Sequence, residues 1–288
     1  MLSIDTETTG RDPATARIVS VGIVFPDGSE RQWLIRTVDS IPPAAAEIHH
    51  ITDEQLAASG VEPTPAFSEI GAILTDAIVN HTFIVAFNAS YDLTLIYREF
   101  NRYNITQPDW SQLRVIDPWV LHYVADRTKQ SRRLVDLAKK FKIIHNNAHT
   151  AVADARAARD LAYEIACCEP ELAAKPPYYI TAEQRSQRHR YEERRAKERG
   201  KTYVRGTAGW PIEDIPDKTR AVTPPRTGNT GKRWTDEERE QLRVAINQGL
   251  DWYVIAERHG RPVGGVWSQA QKYGYVPFDQ EPPFERPE

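Results

Sequence analysis

The sequence predicts an α/β protein with a mixed sheet and flanking helices, followed by a small all-α domain of three helices. Strand patterns open the chain, and helical and strand patterns then alternate up to about residue 166, an order typical of layered α/β folds. Between residues 234 and 276, short helical patterns carry spaced tryptophans that can fill a trihelical core.

Short runs of apolar and β-branched residues predict the strands. They cover residues 2–4, 18–25, 32–35, 83–87 and 115–117. Helical periodicity begins near Pro43 and recurs through the rest of this region. Its clearest stretches are residues 66–79, the segment that ends at Tyr103, residues 134–141 and residues 152–166.

The composition changes after about residue 168. Residues 181–199 form a highly charged helical pattern that Thr181 would cap, and residues 212–231 are rich in Pro, Thr, Gly and charge, which is typical of a linker. The predicted parts are an α/β domain at 1–168, a charged helical connector and linker at 169–227, a helix-turn-helix-like domain at 228–276 and a Pro-rich tail at 277–288.

The overall composition is that of an ordinary soluble protein. Of 288 residues, 40% are hydrophobic and 27% are charged, and the net charge of −3 gives no global sign of nucleic-acid binding. The cysteines, Cys167 and Cys168, are adjacent and cannot build a disulfide framework. Without a signal-peptide pattern or an apolar run of about 18 residues, we expect a cytoplasmic protein that does not enter a membrane.

Asp5 and Glu7 stand two residues apart at the end of the first predicted strand. Alternate residues of a strand point to the same face, so the two carboxylates project together and repel each other. Such a pair is costly unless a cation lies between its members, and Mg²⁺ and Mn²⁺ take carboxylate oxygens as ligands. Because surface strands often carry such pairs, the interpretation depends on partners further along the chain.

Two later segments supply those partners. Asn88 and Asp92 follow a buried strand and are expected to share a face of the first helical turn, at a strand end where ligands usually bind. His149 and Asp154 are five residues apart, a spacing that does not bring two side chains onto one helical face. We therefore expect His149 in the loop before a helix and Asp154 in the first turns of that helix.

In this order the acids and the histidine resemble the DEDDh 3′–5′ exonucleases, the family of the proofreading epsilon subunit of bacterial DNA polymerase III, over about residues 1–166. Asp5-Thr6-Glu7-Thr8-Thr9-Gly10 fits the first motif, Asp92 the second, and His149 with Asp154 the third. Residues 17–22 and 47–52 are also similar to the family, except that His50 stands where a glycine is usual.

The resemblance implies a ribonuclease H-like fold and the hydrolytic removal of 3′-terminal nucleotides from DNA as nucleoside 5′-monophosphates. It also implies two Mg²⁺ or Mn²⁺ ions. Asp5 would bridge them, Glu7 and Asp154 would complete one site, and Asp92 would hold the other. His149 would be the general base.

The same resemblance places substrate-binding groups around the first two motifs. The residues expected to line the pocket for the terminal nucleotide are Thr6, Thr8, Gly10 and Asn88. A capped turn without a binding role is the alternative for the segment after Glu7. His145 lies four residues before His149, as in a zinc pair, but the only third ligand nearby is Asp154.

The trihelical region resembles Myb/SANT-like helix-turn-helix domains through Trp234-Thr235-Asp236-Glu237-Glu238 and its spaced tryptophans. Its third helix would enter a major groove of DNA. Only Lys272 is basic between Pro262 and Gly274, so a protein contact or a purely stabilising role are alternatives.

These observations favour a metal-dependent 3′–5′ DNA exonuclease whose partner is single-stranded DNA or a DNA 3′ end. An exoribonuclease that trims RNA 3′ ends has the same chemistry and is the first alternative. The second is a non-catalytic DNA-binding regulator, although all four acids and the histidine are present. A replication or repair partner fits either DNA-directed role.

Overall fold

The computed structural model describes residues 1–125, 132–175, 177–202, 209–215, 229, 232–250, 252–277, 280 and 282. The chain forms two compact units. One consists of Met1–Ala173 with Pro211–Asp214, and the other of Ala174–Trp210 with Ile215–Glu288. Most residues of the predicted linker and of the Pro-rich tail lie outside the described residues.

The first unit is built on a five-stranded sheet. Its strands are β1 (Leu2–Thr8), β2 (Ile18–Val24), β3 (Glu30–Leu34), β4 (Ile84–Val85) and β5 (Val115–Ile116). They lie in the order β3-β2-β1-β4-β5. β1 is antiparallel to β2 and parallel to β4, and β4 is parallel to β5. The predicted mixed sheet is therefore confirmed, with β1 at its centre.

Helices cover this sheet. They are α1 (Pro43–His49), α2 (Asp53–Ser59), α3 (Pro63–Val79), α4 (Ser90–Arg102), α5 (Pro118–Ala125), α6 (Leu134–Lys140), α7 (Ala151–Cys168) and α8 (Pro170–Ala173). The buried face of α7 consists of alanines together with Leu161 and Ile165, and the helix packs on β1 and β2. Small side chains on this face allow the close approach of helix and sheet.

Gly22 of β2 makes this approach possible. It pairs with Asp5 of β1, and a β-carbon at position 22 would lie 2.3 Å from the backbone carbonyl carbon of Ala151 and the backbone nitrogen of Val152. Any side chain there would collide with the first turn of α7. The glycine thus brings the start of α7 next to the centre of β1.

The structure corrects several predicted boundaries. β1 runs on to Thr8, so Asp5 and Glu7 lie within the strand rather than beyond it. Pro118 begins α5 instead of only ending a strand, since proline is tolerated in a first helical turn. Helix α2 was not predicted, although Thr52 and Gln55 form a capping box at its start.

The second unit contains a long charged helix and a trihelical region. Its helices are α9 (Pro177–Glu198), α10 (Asp236–Asn247), α11 (Trp252–His259) and α12 (Val263–Lys272). Thr181 was predicted to cap α9 but lies inside it, where its hydroxyl donates to the carbonyl of Pro177 at 3.1 Å. A threonine can bond to the carbonyl four residues earlier in this way.

The predicted trihelical core is present. Trp252 and Trp267 are buried, and their rings meet edge to face with 4.7 Å between centroids. Thr235 and Glu238 form the predicted capping box at the start of α10. In the part of the chain that the structure describes, no helix is long and apolar enough to cross a membrane.

Candidate active site

The acidic pair lies on the central strand. Asp5 and Glu7 are alternate residues of β1 and are partly buried, as the strand period requires. Asp154 comes from the first turn of α7. One carboxylate oxygen from each of these three residues lies within 4.8 Å of the others, so β1 and α7 bring together acids that are 147 to 149 positions apart in the chain.

This set of donors fits a hard divalent cation. Carboxylate oxygens are the ligands that Mg²⁺ and Mn²⁺ take, and three of them converge here. Without a counter-charge, the same arrangement leaves like charges close together in a partly buried place. The donor chemistry therefore supports the predicted metal ligands Asp5, Glu7 and Asp154.

Asp92 lies beside this group in the first turn of α4 and is 3% exposed. Its Oδ1 accepts the backbone N–H of Thr6 at 3.0 Å and the hydroxyl of Thr6 at 2.6 Å. Because Thr6 stands between Asp5 and Glu7, these two bonds tie the second motif directly to the first.

The acids perturb one another. Burial, followed by the charges of Asp92, Asp154 and Glu7, raises the pKa of Asp5 well above its ordinary value. Burial and the charge of Asp154 raise the pKa of Glu7 to about 8. Burial raises the pKa of Asp92 to about 7, although the two hydrogen bonds from Thr6 oppose the shift. The cluster therefore holds protons or a cation at neutral pH.

The structure places Asn88 differently from the prediction. It lies two residues before α4 with a φ of 60°, so it does not share a helical face with Asp92. Asp117, at the end of β5, accepts the backbone N–H groups of Asn88 at 2.9 Å and Ala89 at 3.0 Å. These bonds hold the chain in a tight turn, so that α4 begins only at Ser90.

The two histidines near Asp154 have different environments. His149 lies in the loop before α7 with a φ of 67° and an exposed side chain, and its backbone N–H donates to Oδ1 of Asp154 at 3.2 Å. The side chain of His145 is only 6% exposed, and its Nε2 lies 2.6 Å from the same oxygen. The imidazole in contact with Asp154 is thus that of His145.

The segment after Glu7 forms a compact polar corner with α4. The hydroxyl of Thr8 lies 2.7 Å from the carbonyl oxygen of Gly10 and 2.6 Å from the hydroxyl of Tyr91, and Tyr91 also donates to the Gly10 carbonyl. Burial raises the pKa of Tyr91 to about 12, which keeps it a neutral donor. The predicted pocket residues Thr8 and Gly10 are therefore braced by the residue next to Asp92.

Sequence reasoning missed Tyr91 and Asp117 as site residues, and it considered His145 only as part of a zinc pair with His149. Two signals were available. Asp117 is the last residue of a predicted strand, at the edge of the sheet where Asn88 also lies, and Tyr91 directly precedes a predicted metal ligand. The four-residue spacing of His145 and His149 does not predict the contact of His145 with Asp154, because residues 142–150 are not helical.

The mixed five-stranded sheet, its flanking helices and the acidic cluster on the central strand define a ribonuclease H-like exonuclease fold. The family model described as Exonuclease (RNase_T) matches residues 2–162. The chain belongs to this family.

Curated relatives match part of the chain. The 3′-5′ exonuclease DinG of Staphylococcus haemolyticus is 32% identical over 156 residues, which are 53% of this chain and 16% of that protein. The protein of the same name from Staphylococcus saprophyticus is 30% identical over 185 residues, which are 62% of this chain and 20% of the relative. The chain thus spans a fifth or less of the length of these relatives.

Solved structures share the fold. The crystal structure of Escherichia coli exonuclease I in complex with a dT13 oligonucleotide has a TM-score of 0.55 at 22% identity, over 65% of this chain and 44% of that one. A product-bound exonuclease I structure has a TM-score of 0.53 at 23% identity, over 63% of this chain and 46% of that one.

Proposed function

We propose that this protein is a metal-dependent 3′–5′ exonuclease that removes terminal nucleotides from DNA as nucleoside 5′-monophosphates. The observation that carries the proposal is the convergence of Asp5, Glu7 and Asp154 within 4.8 Å, with Asp92 tied to the same strand. The family supports it, since relatives are named 3′-5′ exonucleases and exonuclease I has been solved with a DNA oligonucleotide.

The acids would hold two Mg²⁺ or Mn²⁺ ions. Glu7 and Asp154 would complete one site and Asp92 would hold the other, with Asp5 shared between them. When bound, such a pair of ions activates a water and stabilises the charge that develops on the leaving 3′-oxygen. The protein's own task is to keep four carboxylates in place, which β1, α4 and α7 do from separate parts of the chain.

His149 would be the general base. Its backbone N–H donates to Asp154 while the residue is exposed, so the main chain is anchored to a proposed metal ligand and the imidazole is open to solvent. An imidazole at neutral pH can accept a proton from the attacking water.

The substrate pocket would lie beside the corner formed by Thr8 and Gly10. Thr6 would act mainly through Asp92, because both its N–H and its hydroxyl are bonded to that carboxylate. Asn88 would contribute from the turn before α4. A terminal nucleotide placed there would bring its scissile phosphate to the acids.

The test is an assay with 5′-labelled single-stranded and double-stranded DNA and RNA, with Mg²⁺ or Mn²⁺. We expect a ladder of DNA shortened from its 3′ end, and Asp5→Ala should lose at least 100-fold of the rate, in line with losses on removal of a main electrostatic group. Glu47→Ala, which changes an exposed acid of α1, is the matched control.

Each other result has a defined meaning. Preferential shortening of RNA would favour the exoribonuclease alternative. DNA that is bound but never shortened would favour a non-catalytic regulator. Activity retained by purified Asp5→Ala would contradict the assignment of the acidic cluster as the active site.

A further inference from the structure

We propose that His145 is a positioning residue for Asp154, holding its carboxylate so that one oxygen is turned to the divalent ion. This rests on the proposed function only in that Asp154 is taken as a metal ligand. The observation is the 2.6 Å contact between Nε2 of His145 and Oδ1 of Asp154, made by an imidazole that is 6% exposed.

The two hydrogen bonds to Asp154 go to the same oxygen. Oδ1 accepts the Nε2–H of His145 at 2.6 Å and the backbone N–H of His149 at 3.2 Å. Two donors on Oδ1 would fix the rotation of the carboxylate and leave Oδ2 available to a cation that Asp5 and Glu7 would also bind. A ligand oriented in this way loses less conformational freedom when the ion binds.

The surroundings of the imidazole define its tautomer. A carboxylate oxygen accepts hydrogen bonds, so the proton of a neutral ring lies on Nε2. Nδ1 then carries only a lone pair, and among the described residues this buried atom has no hydrogen-bond partner. The ring therefore acts as a fixed donor to Asp154.

This assignment separates the two histidines by task. His145 holds the carboxylate through its buried side chain, whereas His149 contributes its backbone N–H and keeps its imidazole exposed. The left-handed backbone of Asn147 and His149, with φ of 58° and 67°, turns the loop so that both donors reach one oxygen. A chain that continued as helix from His145 could not place them so.

The test compares substitutions at position 145 that differ in whether the new side chain has an N–H donor that can reach Asp154. His145→Gln keeps an N–H near the position of Nε2, His145→Leu keeps the volume without a donor, and His145→Asn carries a donor that is too short to reach. The readout is the Mn²⁺ affinity of the full chain by isothermal titration calorimetry without DNA. Thermal unfolding in EDTA shows whether each variant is folded.

We expect His145→Leu and His145→Asn to bind Mn²⁺ about 10- to 100-fold more weakly than the wild type, the range typical of lost outer contacts. His145→Gln should stay within about threefold of the wild type, by the same reasoning. Ile144→Ala, which changes the neighbouring residue that is 77% exposed, should leave the affinity unchanged.

The outcomes separate this inference from the proposed function. If the wild type binds no Mn²⁺, or Asp5→Ala binds it equally well, the proposed metal site itself fails. If the wild type binds and Asp5→Ala does not, but His145→Asn and His145→Gln bind alike, His145 does not position Asp154. If His145→Leu does not fold, the comparison of His145→Asn with His145→Gln still shows whether His145 positions Asp154.

Discussion

At residue 50 the backbone adopts the left-handed conformation, with a φ of 58° and a ψ of 19°, at the end of α1. This conformation crowds any side chain with a β-carbon, which accounts for the glycine that is usual at this position in the DEDDh exonucleases. His50 is exposed and its N–H closes α1 on the carbonyl of Ala46. The strain at His50 is therefore local to the helix end.

His50→Gly should stabilise the protein. Relief of the left-handed strain outweighs the added freedom of glycine in the unfolded chain, and we expect a gain of about 0.5–1 kcal/mol in the free energy of unfolding. Urea titration followed by circular dichroism measures it. His50→Ala removes the same side chain but keeps the β-carbon, so an equal gain in that control would rule out the strain as the cause.

The acidic cluster predicts a stability that depends on pH in the metal-free protein. Glu7 and Asp92 have pKa values of about 8 and 7 when folded, against 4.5 and 3.8 as ordinary values. At a pH between the ordinary and the raised pKa values, the folded state binds more protons than the unfolded state. The free energy of unfolding therefore falls as the pH rises through this range. The stabilising effect of the bound protons is complete only below about pH 4.

Thermal midpoints in EDTA should therefore decrease from pH 5 to pH 8, and saturating Mn²⁺ should reverse the trend because it binds the ionised carboxylates. Asp92→Asn, which keeps an acceptor for Thr6, should flatten the EDTA profile. A wild-type profile that is already flat would contradict the raised pKa values.

The sequence predicted single site residues where a simple rule applied. Strand alternation placed Asp5 and Glu7 on one face, and the five-residue spacing placed His149 before the helix and Asp154 within it. It could not place His145, because the loop from Phe141 is turned by left-handed residues that are not glycines, such as Lys142 and Asn147. Asn and Lys carry much weaker signals for this conformation than glycine.

At the level of the elements, the site depends on how closely α7 approaches the sheet. β2 offers Gly22 opposite Asp5, and the start of α7 lies directly on it. Asp154 follows three residues after Ala151, so the distance between helix and strand sets the distance between the acids. A substitution at Gly22 therefore tests both the packing of α7 on the sheet and the geometry of the acidic site.

Gly22→Ala should lower the free energy of unfolding by about 1–3 kcal/mol, the usual cost of overpacking, and weaken Mn²⁺ binding, because its β-carbon would push the first turn of α7 away. Urea titration and calorimetry measure the two effects. Gly71→Ala in α3 is the control, since its β-carbon would meet side chains at 3.4–3.5 Å. Equal effects of both variants would show that Gly22 has no special role.

The sequence predicted the type of most elements but not all of their lengths. β1 is longer than its apolar run, because its second half is held by pairing with β2 up to Thr8 rather than by apolar side chains. β4 is shorter than the apolar run at residues 83–87, because the carboxylate of Asp117 draws the following backbone into a turn. Both differences come from contacts between distant segments, which local patterns do not contain.

On the scale of the whole molecule, the acidic site and a polyanionic substrate both need positive charge, but from different sources. The first unit concentrates carboxylates that require cations, whereas DNA requires positive charge to be held. The connector helix α9 is rich in arginine, and three guanidinium groups surround the ring of Tyr191. We expect contacts with the DNA backbone in the second unit, through α9 and the trihelical region. Arg188 and Arg194 also pair with Glu192 and Glu198 of the same helix, so a solvated connector is the alternative for α9.

The resemblance of the trihelical region to helix-turn-helix domains leads us to propose that α12 contacts DNA. Its exposed residues include Ser268 and Lys272, and Lys272 is the only basic residue of the helix. Hydrogen bonds would then contribute more to binding than charge does. A chain that ends at residue 227 should bind single-stranded or double-stranded DNA about tenfold more weakly, with the slope of log affinity against log salt reduced by only about one or two.

Fluorescence anisotropy at several salt concentrations measures both quantities, and the cleavage rate at saturating DNA should not change, because every proposed site residue lies before residue 155. Lys272→Glu in the full chain is the companion variant and should reduce the salt slope by about one. Truncation that leaves both affinity and slope unaltered would exclude DNA contact by the trihelical region. Its packed core of tryptophans would then support a protein contact or the stability of the second unit.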